Sequence, residues 1–318
     1  MSWYALIENF LQLFVAGLTI GSIYGLMCVG LALIFGIMRV INFAQGDYMM
    51  IGMYIALFFV TAVAGPNSPA AFWWAFVSIA VVGVLMYLFG AATHALLLSK
   101  ASGTHVIQTE DAGHTAQLLL TLGVSVILMN VALMVFTSNP RTILNPYSGN
   151  SWQFHVWGND IMIFFNYART LSALLCVSIA VIVALGLQRT KLGRELRAAA
   201  DNPVAATYLG INVTGIHRVA FGLGCALTAI AGVTIATFGA FQPFSGLDYV
   251  IIMYAGVILG GMGSIRGAFF GGLTIGLIQQ LSTLVLPIQL QMTAIFGVLL
   301  LILLVRPQGL FGKSVERA

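Results

Sequence analysis

Charge is what this 318-residue sequence has least of. Asp, Glu, Lys and Arg make up 7% of it, against roughly 25% in an ordinary soluble domain. Thirteen basic and nine acidic residues cannot cover the surface of a water-soluble fold of this size. With 60% of residues hydrophobic, the same shortage excludes a disordered chain, collagen and a coiled coil. Cysteine is scarce too. Cys28, Cys176 and Cys225 each sit inside an apolar run, which suggests neither a disulfide framework nor a zinc spacing. What remains is a polytopic membrane protein, an all-α bundle of spanning helices. The net charge of +4 does not call for nucleic acid, because membrane topology explains where the basic residues lie.

A helix that crosses a bilayer needs about 20 apolar residues, so the gaps between charges delimit the spans. The gap from Asp47 to Lys100 is broken by the turn residues Gly65-Pro66-Asn67-Ser68-Pro69 and holds two spans. The gap from Arg266 to Arg306, with Pro287 near its middle, also holds two. Candidate spans fall at about 10–36, 48–64, 72–98, 115–137, 162–188, 219–240, 249–263, 268–286 and 290–305. Those at 249–263 and 290–305 are short and read equally as half-helices or re-entrant segments. The expectation is eight or nine spans in one domain, residues 1–318. With the N-terminus outside, Arg39, Lys100, Arg189, Lys191, Arg194, Arg197, Arg218, Arg266, Arg306, Lys313 and Arg317 all fall inside. Only Arg141 and Arg169 fall outside. The positive-inside rule then selects N-out and C-in. No basic residue precedes Arg39, so the first run reads as a retained anchor rather than a signal peptide. An outer loop, 138–160, carries Asn139-Pro140, Asn145-Pro146, Tyr147, Trp152 and Trp157. It reads as aromatic interface anchoring or as a docking surface for an external partner.

Catalytic chemistry is hard to find. Gly312-Lys313-Ser314 imitates the end of a phosphate loop, but the required earlier glycine is Pro307. Gly261-Met262-Gly263-Ser264-Ile265-Arg266-Gly267 misses the dinucleotide fingerprint by one place. His94 and His114 read as interfacial residues, and the histidines form no metal pair. Glycine is abundant, and much of it repeats every four residues. Gly17, Gly21 and Gly25 share one face of the first span, and Gly260, Gly263, Gly267 and Gly271 recur later. Small residues at this spacing let helices pack closely, or slide and unwind.

Polar residues near membrane depth are the sharper clue. The stretch from Gly36 to Tyr48 joins the first two runs and carries Asn42, Phe43, Gln45 and Asp47. It is either a wet inner loop or a broken segment lining a pathway, where helix ends bind the charged ends of a solute. Asp248 has the same two readings. The inner stretch 189–217 reads as two short helices: a basic one over Leu192 to Ala200, containing Arg194, Glu195 and Arg197, then one after Asp201-Asn202-Pro203. Asn202 caps the second, Ala205 and Ala206 lie within it, and Gly210 stops it. This element either rests on anionic lipid or docks a cytoplasmic protein.

These residues resemble a known family, the inner-membrane permeases of ATP-binding-cassette importers for branched-chain amino acids, and its H-type rather than M-type subunit. Four stretches carry the likeness: Gly30 to Asp47 with Gly52 and Tyr54; Gly193-Arg194 through Leu209-Gly210-Ile211-Asn212; Leu259 to Gly267; and Arg306 to Gly312. The family commonly has histidine at the position of Gln45, and often proline at that of Arg266. The resemblance implies a bacterial inner-membrane subunit that is not itself an enzyme. It would pair with a homologous M-type permease and two cytoplasmic ATPase subunits carrying ATP and magnesium, and a periplasmic binding protein would deliver the solute. No cofactor or metal is expected in this chain. The 192–210 element would couple to the ATPase, and Asn42, Phe43, Gln45 and Asp47 would line the pathway. Leucine, isoleucine or valine is the implied solute. Another amino acid, an amide or urea is the alternative, as is a stand-alone channel or secondary transporter.

Overall fold

The computed structural model describes residues 3–65, 68–102, 110–143, 149–156, 161–306 and 308–311. Pro66, Asn67, Asn145, Pro146, Tyr147, Trp157, Pro307, Gly312, Lys313, Ser314 and Arg317 lie outside them, as does the side chain of His114. The chain opens with α1 (Trp3–Met38), α2 (Gln45–Ala64) and α3 (Ala71–Thr93). A π turn at His94–Leu98 leads into α4 (Ser99–Ser102), then α5 (Glu110–Phe136) and α6 (Tyr167–Arg189). Next come α7 (Lys191–Asp201), α8 (Pro203–Tyr208), α9 (Val213–Ala236), α10 (Ser245–Gly260), α11 (Ile265–Leu281) and α12 (Gln291–Val305). Around Pro287 the chain forms two 3-10 turns, Ser282–Leu284 and Ile288–Leu290, where the ring cannot continue a helix.

Seven of the described helices are long and apolar enough to cross a membrane: α1, α2, α3 with its π turn, α5, α6, α9 and α12 with the preceding turn. At 16 and 17 residues, α10 and α11 are shorter. The centre of the bundle is α1. Every residue from Gly21 to Ile34 is buried, which is the signature of a helix apolar on all sides. α11 runs antiparallel beside it: Gly17 faces Leu277, Gly21 faces Leu273, and Gly25 faces Phe269. A methyl group on Gly276 would strike the backbone of Gly21, and one on Gly260 would strike Gly267. Gly271 packs on Gly256 and Gly260 in the same manner. Backbones touch here because no side chain intervenes. Gly263 differs from the other small residues of its series. Nothing lies within 4 Å of where its Cβ would be, and its φ of 90° serves the turn between α10 and α11.

The all-α expectation needs one correction. Ser151–Val156 and Ile161–Asn166 form β1 and β2, an antiparallel hairpin pairing Trp152 with Phe165 and Phe154 with Ile163. The strand therefore takes the start of the stretch expected to be a span from 162. Aromatic and branched residues on a two-residue period favour this pairing. Asn166 then begins α6, its side chain accepting from the Arg169 N–H at 3.1 Å. Gln12 of α1 anchors β2, donating to the Phe164 carbonyl and accepting from the Phe164 N–H, each at 2.9 Å.

Candidate functional site

After Met38 the chain does not simply turn at the end of α1. Arg39 takes a left-handed φ of 54°, and the next helix begins at Gln45. The Gln45 amide donates to the Gly224 carbonyl at 3.0 Å and to Thr228 Oγ1 at 2.6 Å. Those same two groups border Gly30 of α1. The start of α2 is thus level with a point eight residues back from the end of α1, about 12 Å at 1.5 Å per residue. Asn42 ties the break together: its Nδ2 donates to Gln45 Oε1 at 2.8 Å, and its Oδ1 accepts from the Ala44 N–H at 3.1 Å. Thr121 of α5 closes the outside, accepting from the Phe43 N–H at 3.3 Å, with its one proton between the Leu118 carbonyl at 3.0 Å and the Ile41 carbonyl at 3.3 Å. Each of these buried bonds contributes a net 0.5–1.5 kcal/mol or so, and leaving one partner unmet costs about 1–3 kcal/mol.

A second break mirrors the first. α2 and α9 run side by side, Gly52 on Ala229 and Gly232 on Met49 and Met53. α9 ends at Ala236, and the chain loops past Phe241, whose ring meets Tyr54 at 5.0 Å. It then returns to begin α10 beside the start of α2. A methyl on Gly46 would collide with the carbonyl oxygen of Gly246, and one on Gly246 would lie 2.8 Å from an Asp47 oxygen. Two helix starts therefore meet inside the bundle, glycine to glycine. The sequence carries an echo of this that its charge spacing alone does not reveal. Phe43 and Phe244 each stand four residues before an aspartate followed by tyrosine, Asp47-Tyr48 and Asp248-Tyr249.

Asn42 and Gln45 are 0% exposed and Asp47 is 1% exposed. They are enclosed by α5, α9 and α10 of their own chain rather than facing an open channel. Ser125 of α5 hydrogen-bonds the Asp47 side chain, while its Oδ1 has no partner among the described residues. Phe43 is half-buried, its ring 5.7 Å from that of Tyr254. Asp248, by contrast, is exposed and faces a cavity of about 390 Å³.

At the far end of the bundle, α7 and α8 form a bent arm. Thr190 caps α7 by accepting from the Gly193 N–H at 3.1 Å, and Asn202 caps α8 by accepting from the Ala205 N–H at 3.0 Å. Gly193, Leu196 and Ala199 are buried, and Gly193 packs on the backbone of Leu187. Arg194 is exposed and Glu195 half-buried, while Arg197 turns back to donate to the Leu187 carbonyl. Asp201, Asn202 and Ala205 are exposed, Ala206 is buried, and Gly210 ends the arm at φ 82°. The sequence reading missed Val204, Tyr208 and Leu209. These apolar side chains are 63%, 87% and 80% exposed, and three apolar residues in a charged inner segment were the available signal.

A bundle with seven described helices long and apolar enough to cross a bilayer is that of a polytopic membrane protein. Residues 13–305 match the family described as the branched-chain amino acid transport system / permease component, and the chain belongs to it. It is 30% identical to the "High-affinity branched-chain amino acid transport system permease protein BraD" of Pseudomonas aeruginosa, over 98% of this chain and 99% of that one. It is 28% identical to the "High-affinity branched-chain amino acid transport system permease protein LivH" of Escherichia coli K12, over 97% of each. A more distant relative, the "Ribose import permease protein RbsC" of Escherichia coli K12, is 29% identical over 64% of each chain. No solved structure matches the chain.

Proposed function

We propose that the chain is the membrane-spanning subunit of an ATP-driven importer and forms half of the pathway for leucine, isoleucine or valine. The family match over residues 13–305 carries this reading. In it the chain crosses the bacterial inner membrane eight or nine times, N-out and C-in. It pairs with a homologous M-type permease, receives solute from a periplasmic binding protein, and is driven by two cytoplasmic ATPase subunits that hold ATP and magnesium. The α7–α8 arm is the coupling element. Its buried face, Leu196 and Ala199, fixes it to the bundle, and its exposed tip, Tyr208 and Leu209, supplies the apolar anchors that dominate protein interfaces. Arg194, Glu195, Arg197, Asp201, Asn202, Ala205, Ala206 and Gly210 build and orient that arm. Asn42, Gln45 and Asp47 hold the break that shapes the pathway wall, with Phe43 at its edge.

Reconstitution with the partner subunits tests this. Leucine uptake should require ATP and both ATPase subunits. Equal uptake without them would identify a channel or secondary transporter. Tyr208→Ala should weaken ATPase binding by tenfold or more, roughly the cost of losing one interface anchor. The ribose permease relative favours one alternative, a different small solute on the same machinery. Competition by ribose, amides or urea in the same vesicles distinguishes it.

A further inference from the structure

The cavity at Asp248 belongs neither to the sealed first break nor to the coupling arm. It lies between the start of α10, the end of α11, α12 and the segment around Pro140, on the side of the Gly46–Gly246 contact toward the hairpin. Its volume of about 390 Å³ is within the 300–1,000 Å³ or so typical of small-molecule sites. One part of its lining is polar: Asp248 with Tyr24, Tyr249 and Gln279. Another is apolar, with Ile252 and Met292. The Gln279 amide donates to Gln291 Oε1 at 3.4 Å, and its own oxygen is closed off from the cavity. Nearby, Arg169 lies over the Phe238 ring at 5.3 Å and interacts electrostatically with Tyr24.

We propose that this cavity holds a zwitterionic amino acid with an aliphatic side chain. Its ammonium group meets Asp248, its carboxylate turns toward Arg169, and its side chain rests on Ile252 and Met292. The lining asks for this combination. An exposed carboxylate on the cavity wall selects a cation carrying N–H donors. A guanidinium nearby selects an anionic group on the same molecule. An apolar wall then favours a hydrocarbon chain over a sugar. The inference rests on the importer reading, and it names the residues that would contact the solute.

Two measurements on the full complex in proteoliposomes test it. Asp248→Asn should lower leucine uptake per chain by roughly tenfold or more, the effect of losing a charge-assisted hydrogen bond. Unchanged uptake would overturn the site. In a chain that keeps Asp248, Met292→Cys provides a label point, because Cys28, Cys176 and Cys225 are all 0% exposed. L-leucine should slow maleimide labelling of that cysteine severalfold, and unaltered labelling at saturating leucine would overturn the site. Protection without ATP-driven uptake would keep the site and sink the importer reading. Uptake without protection would do the reverse.

Discussion

Asp47 and Asp248 hold the same place in two copies of one short pattern, yet the first is sealed and the second opens on a cavity. Around Asp47 the chain pairs the neighbouring amides and hydroxyl, though not Asp47 Oδ1 itself. Asn42 binds Gln45, Gln45 binds Thr228 and Gly224, and Thr121 holds Ile41 and Phe43. Asp248, by contrast, is exposed on the wall of a cavity. A buried polar group is costly unless paired. The first break is therefore closed by the chain's own residues, with Asp47 Oδ1 left unmet among the described residues, whereas the second presents its carboxylate to open space.

Gly46→Val strains both breaks at once, since its side chain would enter the Gly246 carbonyl. Overpacking a contact between two backbones should cost about 3 kcal/mol or more, read as loss of folded chain from the membrane. Gly123→Ala, with nothing within 4 Å, should leave abundance unchanged. Gln45→Leu breaks only the first site. It strands the Asn42 Nδ2, while Thr228 keeps its bond to the Gly224 carbonyl, and should cost about 1–3 kcal/mol in detergent unfolding. Gln45→His retains a donor and should cost less. Thr121→Val removes the outer clamp and should cost about 1 kcal/mol by the same measurement. Asp248→Asn should move stability by no more than about 0.5 kcal/mol, as expected for an exposed side chain. A large loss there would mean that the second break, too, is structural.

Much of the bundle was legible in the residues. Sparse charges delimit the helices, and Asn202, Pro203 and Gly210 mark the arm because capping chemistry is local. The depth of the breaks was not legible. Nothing between Gly36 and Tyr48 records how far the chain doubles back, which is set by Thr228 and Gly224, nearly two hundred residues away in sequence. The hairpin was hidden because Ile161 to Asn166 adjoins a spanning run and shares its hydrophobicity. Asn42, Gln45 and Asp47 stood out in the sequence only as polar residues next to apolar runs. Their burial depends on α5 and α9 closing over them, which no local pattern encodes.

The central claim is that the first break holds the fold and the second meets the solute. Leucine uptake divided by chain abundance, measured in the same vesicles for Gln45→Leu and Asp248→Asn, tests it most directly. The account predicts that Gln45→Leu loses chain and that each surviving chain keeps more of its uptake than an Asp248→Asn chain does. It predicts that Asp248→Asn keeps its abundance and loses roughly tenfold in uptake per chain. Wild-type uptake per chain in Asp248→Asn, with the loss per chain falling on Gln45→Leu instead, would contradict it.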